Sequence, residues 1–146
     1  MRLTLHTDYA LRTLIYLAVA DDEGGQIAQI AERYRISENH LRKVVLHLTR
    51  LGFVEATRGR GGGLRLARPA SSIRVGEVVR RMEEAPAFVE CFDPATNTCP
   101  ILGACGLKGF IGEALEAFHN VLDGYTIADI SRNERRLRQV LSLAKG

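Results

Sequence analysis

The sequence has no apolar run near the roughly 18 residues that a membrane-spanning helix needs, so a membrane protein is not expected. Residues 1–22 are the one stretch that could pass for a signal peptide, but Asp8 and Arg12 interrupt its apolar residues. Those apolar residues instead recur with a helical period. We therefore predict that the chain begins with a folded helix and that the protein is cytoplasmic.

Signatures of catalysis and of nucleotide binding are also missing. No nucleophile–base pair and no paired carboxylates stand out as they would in an enzyme. The segment RGRGGG, residues 58–63, lacks the Gly-Lys-Ser/Thr ending of a phosphate-binding P-loop. Low-complexity segments that would indicate disorder are absent as well. The sequence therefore predicts a folded protein that is not an enzyme.

Cysteine is scarce, and all of it lies in one loop. Cys91, Cys99 and Cys105 follow the spacing C-x7-C-x5-C within 15 residues. The C-x2-C pairs of most structural zinc sites are missing, and no histidine lies between residues 85 and 118 to complete a ligand set. A thiol switch without metal is one interpretation. An iron–sulfur cluster fits better, because a loop rich in Pro and Gly wraps a large cofactor and thiolates are its usual ligands.

Charge is distributed unevenly along the chain. The net charge is +3, but residues 37–74 contain eight Arg or Lys against two Glu, a net charge of +6 for that block. A basic block inside a folded domain favours a polyanionic partner, most simply DNA, although an ordinary solvated face has a similar composition.

The pattern of apolar residues in the first half is typical of a winged helix-turn-helix. A helix capped by Thr7, with Leu11 and Leu14 on its apolar stripe, is followed by a short helix, a tight turn and a third helix over residues 38–51. Ser37 is the expected N-cap of the third helix, and Gly52 its C-terminal stop. The period then changes to the alternation of two short strands, FVEAT and LRLAR, around the basic turn RGRGGG. We therefore expect the third helix to enter the major groove of double-stranded DNA and the hairpin to lie against the backbone or minor groove.

Two sets of side chains are predicted to contact DNA. The start of the third helix would contact base edges, and the arginines of the hairpin would contact phosphates or a narrow groove. The predicted DNA-binding residues are Ser37, Asn39, His40, Arg42, Lys43, Arg58, Arg60 and Arg65.

The second half of the chain predicts a different kind of structure. A fourth helix over residues 75–84, with Val75, Val78, Val79 and Met82 facing inward, completes a DNA-binding domain over residues 1–84. Residues 85–106 form the cysteine loop. Residues 107–146 begin with a long helix whose apolar stripe is broad enough for a dimer interface, although part of it would also pack on its own winged helix. The expected fold is mainly α with a small β-hairpin wing.

Long segments of the chain resemble the winged-helix iron–sulfur transcription regulators, and within them the nitric-oxide-sensing branch. The resemblance rests on LTLHTDYALRTLIYLA (3–18), on residues 36–80, on the three cysteines and on LDGYTIADI (122–130). It implies a homodimeric repressor that binds an inverted-repeat operator and carries an iron–sulfur cluster, with 4Fe–4S favoured over 2Fe–2S. Nitric oxide would be the signal.

The resemblance also implies a fourth ligand. Three irons would be held by Cys91, Cys99 and Cys105, and the fourth by Asp8 of the partner subunit. Arg12 would couple the cluster to the DNA-reading helices, because it would pair with Asp8 once that carboxylate is released. The residues alone favour a simpler interpretation, in which Asp8 is an acid in the first turn of a helix and Arg12 is its ordinary partner four residues on.

Two other branches of the family bear on the signal. The cluster-biogenesis branch has a histidine ligand two or three residues after the third cysteine, where this chain has Leu107 and Lys108. That departure argues against the cluster-biogenesis branch. An iron-responsive branch also uses three cysteines, and a signal of iron or cluster supply therefore stays open, as does the thiol switch.

Overall fold

The computed structural model describes residues 3–56, 63–83 and 88–143. Within these ranges the chain forms helices and one two-stranded antiparallel sheet. The elements are α1 (Leu5–Ala20), α2 (Ile27–Tyr34), α3 (Glu38–Arg50), β1 (Val54–Ala56), β2 (Leu64–Leu66), α4 (Val75–Met82), α5 (Leu107–Asp123), α6 (Ile127–Ile130) and α7 (Glu134–Val140). This order confirms the mainly α fold with a small β-hairpin.

The N-cap of helix α1 lies three residues before the predicted one. Thr4, in an extended conformation, is the N-cap, and its side chain accepts a hydrogen bond from the backbone N–H of Thr7 at 3.2 Å. Thr4 is itself held by Glu83, whose Oε1 accepts from the Thr4 backbone N–H at 2.8 Å and from its hydroxyl at 3.1 Å. The prediction that Thr7 caps the helix was therefore wrong, because the deciding contact comes from a residue distant in sequence. Thr7 is instead fully buried.

The turn between α2 and α3 has the predicted position. Arg35 adopts the left-handed conformation, with φ 54° and ψ 45°, and the backbone N–H of Ile36 donates to Ala31 at 2.8 Å. Ser37 occupies the N-cap position of α3. Gly52, at φ 75°, follows the end of α3 in a conformation that residues with a Cβ adopt at a cost.

The wing is short and is joined to the helical part by a backbone bridge. Val54 pairs with Leu66 and Ala56 with Leu64. On its other side Leu64 exchanges two backbone hydrogen bonds with Gly25, at 2.7 and 3.0 Å. Residues 57–62, which include Arg58 and Arg60, lie outside the described part of the chain.

The core lies among the helices of the winged helix and beneath the wing. Helix α1 contacts α2, α3, α4, α6 and α7, and for this reason it is buried on more than one side. The largest fully buried side chains are Phe53, Leu14, Ile30, Leu41, Leu48, Ile73, Met82, Ile127, Val19, Val44, Val54 and Val78. The four apolar residues predicted to face inward from α4 are all buried.

Helix α5 packs against α4 at a glycine. A Cβ on Gly76 would overlap the side chain of Asp123, at the last residue of α5, and would lie 3.0 Å from its backbone nitrogen. The Asp123 carboxylate accepts a hydrogen bond from Arg80 at 2.7 Å, which holds the pKa of that carboxyl below its ordinary value. The C-terminal end of α5 is thus tied to the winged helix.

Candidate DNA interface and cysteine loop

The outward face of α3 carries the polar side chains that the sequence predicted. Because Leu41, Val44, Val45 and Leu48 are buried, the opposite face lies open to solvent. The exposed residues there include Ser37, Asn39, Arg42, Lys43, Leu46 and Arg50. Arg42 forms an ion pair with Glu38 one turn earlier, in an exposed setting where such a pair adds little stability and is readily exchanged for a phosphate.

His40 occupies a different environment from its neighbours on α3. Its ring lies edge-on to the ring of Tyr9 on α1, with 5.0 Å between centroids, and it is only partly exposed. The structure therefore separates His40, on the side of α3 that meets α1, from Asn39, Arg42 and Lys43 on the open face.

The described part of the wing places one predicted contact residue at the surface. Arg65 is exposed, and its Nε donates to Glu55 on the paired strand at 2.6 Å. Glu55 and Arg65 face each other directly in the register of the hairpin. This pair orients Arg65 on the same short ribbon that leads to the tip.

Hydrogen-bonded turns shape the cysteine loop before its second thiol. Cys91 lies in a 3₁₀ turn, Glu90–Phe92. Asp93 then accepts hydrogen bonds from the backbone of Ala95 at 3.0 Å and from the hydroxyl of Thr96 at 2.8 Å. These bonds keep the pKa of the Asp93 carboxyl below its ordinary value. Local side-chain bonds thus fold the loop between Cys91 and Cys99.

Glu90 ties the first cysteine to the second. Its Oε1 accepts from both the hydroxyl of Thr98, at 2.6 Å, and the backbone N–H of Thr98. The hydroxyl contributes most to a lowered pKa of the Glu90 carboxyl. Because Glu90 precedes Cys91 and Thr98 precedes Cys99, this contact draws the two ends of the intervening segment together.

The third cysteine lies on the approach to α5. The backbone N–H of Cys105 donates to Ile101 at 2.9 Å, in a turn that leads into α5 at Leu107. Cys91, Cys99 and Cys105 are free thiols, each partly exposed. Across residues 3–56, 63–83 and 88–143, no three His, Cys, Asp or Glu side chains converge as a metal site. The donor set itself, three accessible thiols on a loop free of regular strands, suits an iron–sulfur cluster that takes a further ligand from elsewhere.

Asp8 pairs with Arg12 in the single chain. The two side chains form a two-point contact, Nε to Oδ1 at 3.2 Å and a terminal nitrogen to Oδ2 at 2.7 Å. Both remain partly exposed, and the Arg12 guanidinium also lies 5.7 Å from the centre of the Tyr9 ring. The sequence identified this pair by its spacing, and the structure forms it.

Several large apolar side chains in the cysteine loop and at the start of α5 are exposed to solvent. They are Phe88, Ile101, Leu102, Leu107 and Phe110, and Phe110 is 72% exposed. Sequence reasoning identified the members on α5 by their helical period but missed the three in the loop. Their signal was the occurrence of Phe, Ile and Leu in a segment that is otherwise polar and rich in Gly and Pro.

No helix among the described residues combines the length and apolarity needed to cross a bilayer.

The family model described as "Rrf2: Iron-dependent Transcriptional regulator" matches residues 3–133. The chain is 49% identical over 144 residues to the HTH-type transcriptional regulator NsrR of Bacillus subtilis (strain 168), with 98% of this chain and 99% of the relative covered. A curated NsrR of Oceanobacillus iheyensis is 46% identical over 99% of both chains.

A solved structure gives the same picture of the fold. IscR of T. potens superposes with a TM-score of 0.74 at 25% identity and covers 100% of this chain and 94% of its own. The relatives are named transcriptional regulators, in agreement with the prediction that the chain is not an enzyme. Together with the reading helix and wing, these similarities support a DNA-binding repressor. The chain belongs to the Rrf2 family of transcriptional regulators.

Proposed function

We propose that this protein is a homodimeric repressor that senses nitric oxide through an iron–sulfur cluster and then releases an inverted-repeat operator. It would act in the cytoplasm, where the DNA is. The observation that carries the proposal is the set of three free, partly exposed thiols on one loop, in a chain whose curated relatives are named NsrR. We favour the 4Fe–4S form, as the resemblance to the nitric-oxide-sensing branch implies; either cluster type takes four ligands, so three thiolates leave one position for a different ligand.

Dimer formation through α5 is supported by the surface that this helix leaves uncovered. None of its residues is buried, and Phe110 and Val121 are 72% and 63% exposed. Phe118 and Leu122 pack partly on the core of their own chain. An exposed apolar stripe along a helix of 17 residues is well suited to bury against a second copy.

DNA binding is supported by the outward face of α3. Asn39, Arg42 and Lys43 are exposed near its N-terminal end, where reading helices contact base edges. In a symmetric dimer two such helices must lie about one DNA turn apart, about 34 Å, to bind two half-sites. A small rotation between the subunits would therefore weaken binding strongly.

The ligands of the cluster would be Cys91, Cys99 and Cys105 of one subunit and Asp8 of the partner subunit. When bound, the cluster supplies iron that reacts with nitric oxide. A carboxylate binds such iron less tightly than a thiolate does, so Asp8 is the ligand most easily displaced. Its pairing with Arg12 in the single chain supports an exchange, since Arg12 stabilises the carboxylate when iron does not. This exchange would alter the first turn of α1 in each subunit.

The test is anaerobic purification followed by a nitric oxide titration. We expect a brown protein whose iron and sulfide contents match a 4Fe–4S cluster, and whose visible absorption bleaches as operator binding is lost. Cys99→Ser should be colourless. Asp8→Ala should keep iron but lose the coupling between bleaching of the cluster and release of the operator. Glu116→Ala, which alters an exposed acid on α5 away from its apolar stripe, should behave as the unaltered protein does.

Two results would redirect the proposal. A cluster that resists nitric oxide but is lost on iron starvation, with release of DNA, would favour a sensor of iron or cluster supply. A colourless protein that binds the operator and responds to oxidants would favour a thiol switch, for which the three accessible thiols are equally suited.

A further inference from the structure

The segment that follows α5 is paired with the segment that precedes α4. The backbone N–H of Val75 donates to Tyr125 at 2.9 Å, and the backbone N–H of Ile127 donates to Ile73 at the same distance. These two bonds close a short antiparallel bridge. Because Ile73 and Ile127 are fully buried, the bridge is part of the core rather than a surface contact.

The last residue of α5 is held at the same place. The Arg74 guanidinium donates to the backbone oxygen of Asp123 at 2.6 Å, and Arg80 donates to the Asp123 carboxylate at 2.7 Å. Gly76, in the first turn of α4, is buried against Asp123. A Cβ at Gly76 would overlap the carboxylate and would lie 3.0 Å from the backbone nitrogen of Asp123. Glycine therefore allows α4 and the end of α5 to approach this closely.

The opposite end of α5 has no comparable attachment. Leu107 and Phe110 are exposed. Among the described residues, a Cβ added at Gly109 would have no neighbour within 4 Å beyond its own stretch of helix backbone. The extensive contact that α5 makes with another helix is the one with α4. The packing of α4 on α5 consequently determines the direction in which α5 leaves the winged helix.

This direction bears on DNA binding through the symmetry of a dimer. If two copies of α5 form the interface, the angle between α4 and α5 places each winged helix relative to the two-fold axis. A change in that angle is repeated in both subunits, so it alters the separation of the two reading helices twice over. One base pair corresponds to about 3.4 Å along DNA, and the half-sites must match the separation of the helices.

We infer that Gly76 and Asp123 are positioning residues that set the separation of the two reading helices, and with it the half-site spacing that the dimer accepts. The inference rests on the proposed function, which supplies the dimer through α5 and the inverted-repeat operator. The residues on the outer face of α3 read the bases, whereas the contact between Gly76 and Asp123 determines how far apart the two copies of α3 are held.

The test uses the overlap that a methyl group would cause. Gly76→Ala pushes against the Asp123 carboxylate, and adding Asp123→Ala removes the carboxylate and most of the overlap. Asp123→Ala alone completes the comparison. Gly109→Ala adds the same methyl group at an open position off the apolar stripe of α5 and is the control.

Affinity is measured for cluster-loaded protein without nitric oxide. The DNA duplexes carry the native operator, operators with one base pair inserted or removed between the half-sites, and no operator. Sedimentation equilibrium and thermal unfolding report whether each variant is still a folded dimer.

Gly76→Ala should remain dimeric and should bind the native operator about tenfold more weakly, the effect of losing a base contact. The loss should be smaller on one of the two respaced operators. Binding to DNA without an operator should change by less than about twofold, because phosphate contacts do not depend on the spacing. The double variant should return to within about threefold of the unaltered protein on the native operator, since the two changes act at one contact. Asp123→Ala and Gly109→Ala should keep the native spacing.

Two outcomes would overturn the inference. One is a folded, dimeric Gly76→Ala protein with the native spacing preference, and the other is an equal loss on all duplexes, which a general structural defect would cause. If Gly76→Ala does not fold, Asp123→Leu is used in its place, because a methyl group bulkier than Oδ1 then faces Gly76. An unaltered protein that is monomeric, or indifferent to half-site spacing, would instead refute the proposed dimer and operator themselves.

Discussion

The winged helix and the segment from the cysteine loop to the end of α5 differ in how much apolar surface one chain buries. Within the described residues, the buried apolar side chains all lie before residue 83 except Ile127 and Leu141. From Phe88 to Asp123 the large apolar side chains are at best partly covered. One half of the molecule is thus stabilised by its own contacts, while the other presents surface and thiols suited to a partner and a cofactor.

The contrast between the two regions is consistent with their proposed roles. A reading helix has to hold its shape whether or not a signal is present, and a packed core supplies that constancy. A sensing loop has to change, and regions with few buried contacts open at a small free-energy cost. Substitutions in the two regions should therefore differ in effect, with the largest in the packed core and the smallest in the cysteine loop.

The largest effect is expected in the core of the winged helix. Phe53 is fully buried, with the guanidinium groups of Arg68 and Arg81 each 5.3 Å from its ring centre. Phe53→Ala should lower the free energy of unfolding by about 3–5 kcal/mol, through lost burial and the cavity left behind. Urea denaturation at a fixed protein concentration measures this. Phe53→Leu should cost clearly less, and equal losses from both variants would contradict the packing argument.

An intermediate effect is expected on α5, in association rather than in folding. Phe110→Asp should raise the dimer dissociation constant by about thirtyfold or more, corresponding to about 2 kcal/mol, because a charge replaces a large apolar contact. Helix content should stay unchanged. Sedimentation equilibrium measures the constant.

The control for Phe110→Asp adds the same charge elsewhere on the helix. Asn120→Asp lies off the apolar stripe of α5 and should leave the dimer intact. If Phe110→Asp remains as dimeric as Asn120→Asp, the exposed stripe is not the interface.

The smallest effect is expected within the cysteine loop and depends on pH. Thr98 lowers the pKa of the Glu90 carboxyl, so the stabilisation of this turn is present above the ordinary pKa and is lost as pH falls through the lowered value. Thr98→Val removes the hydroxyl donor and should move the pKa of Glu90 upward. Carbon-13 NMR titration of the Glu90 carboxylate measures this shift.

Thr96→Val provides the matched comparison for the loop. It removes the equivalent hydroxyl from Asp93 and should raise the pKa of that carboxyl instead, leaving Glu90 unaffected. If the pKa of Glu90 were the same in the Thr98→Val variant as in the unaltered protein, the turn would not persist in solution.

Local patterns predicted the helices and strands well where one face is buried. The apolar residues of α3 recur at helical spacing, and Ser37 and Gly52 carry the local conformations that begin and end it. The hairpin followed from alternation, and its register agrees with the two predicted strands. These features depend on neighbours within a few residues, so a local sequence pattern is sufficient to predict them.

Local patterns were less informative for α1. A single stripe that includes Leu11 and Leu14 was expected. Leu14 is buried but Leu11 only partly, and the structure buries Thr7, Ala10 and Thr13 instead. Helical periodicity assumes one buried face, whereas α1 is contacted by several helices at once. The N-cap is Thr4 rather than Thr7 for a related reason, because Thr4 is held by Glu83, which is 79 positions away in the sequence.

The candidate site likewise contains some features that local patterns predicted and others that they did not. The three cysteines, the Asp8–Arg12 pair and the basic outer face of α3 were predicted from residue type and spacing. The meeting of His6 with His47 and of His40 with Tyr9 was not, because these rings lie on helices separated by α2 and nothing in a periodic pattern states which faces touch.

By itself, the sequence determined the elements, the clustering of the three thiols and the charge of the outer face of α3, since these follow from local backbone preferences and side-chain chemistry. Only the tertiary structure decided which side chains remain uncovered and which rings meet. Those outcomes arise from packing between residues distant in sequence. The histidine contact between α1 and α3 belongs to this second group. So does the division of the α5 stripe, in which Phe110 and Val121 are exposed whereas Phe118 and Leu122 pack partly on the core.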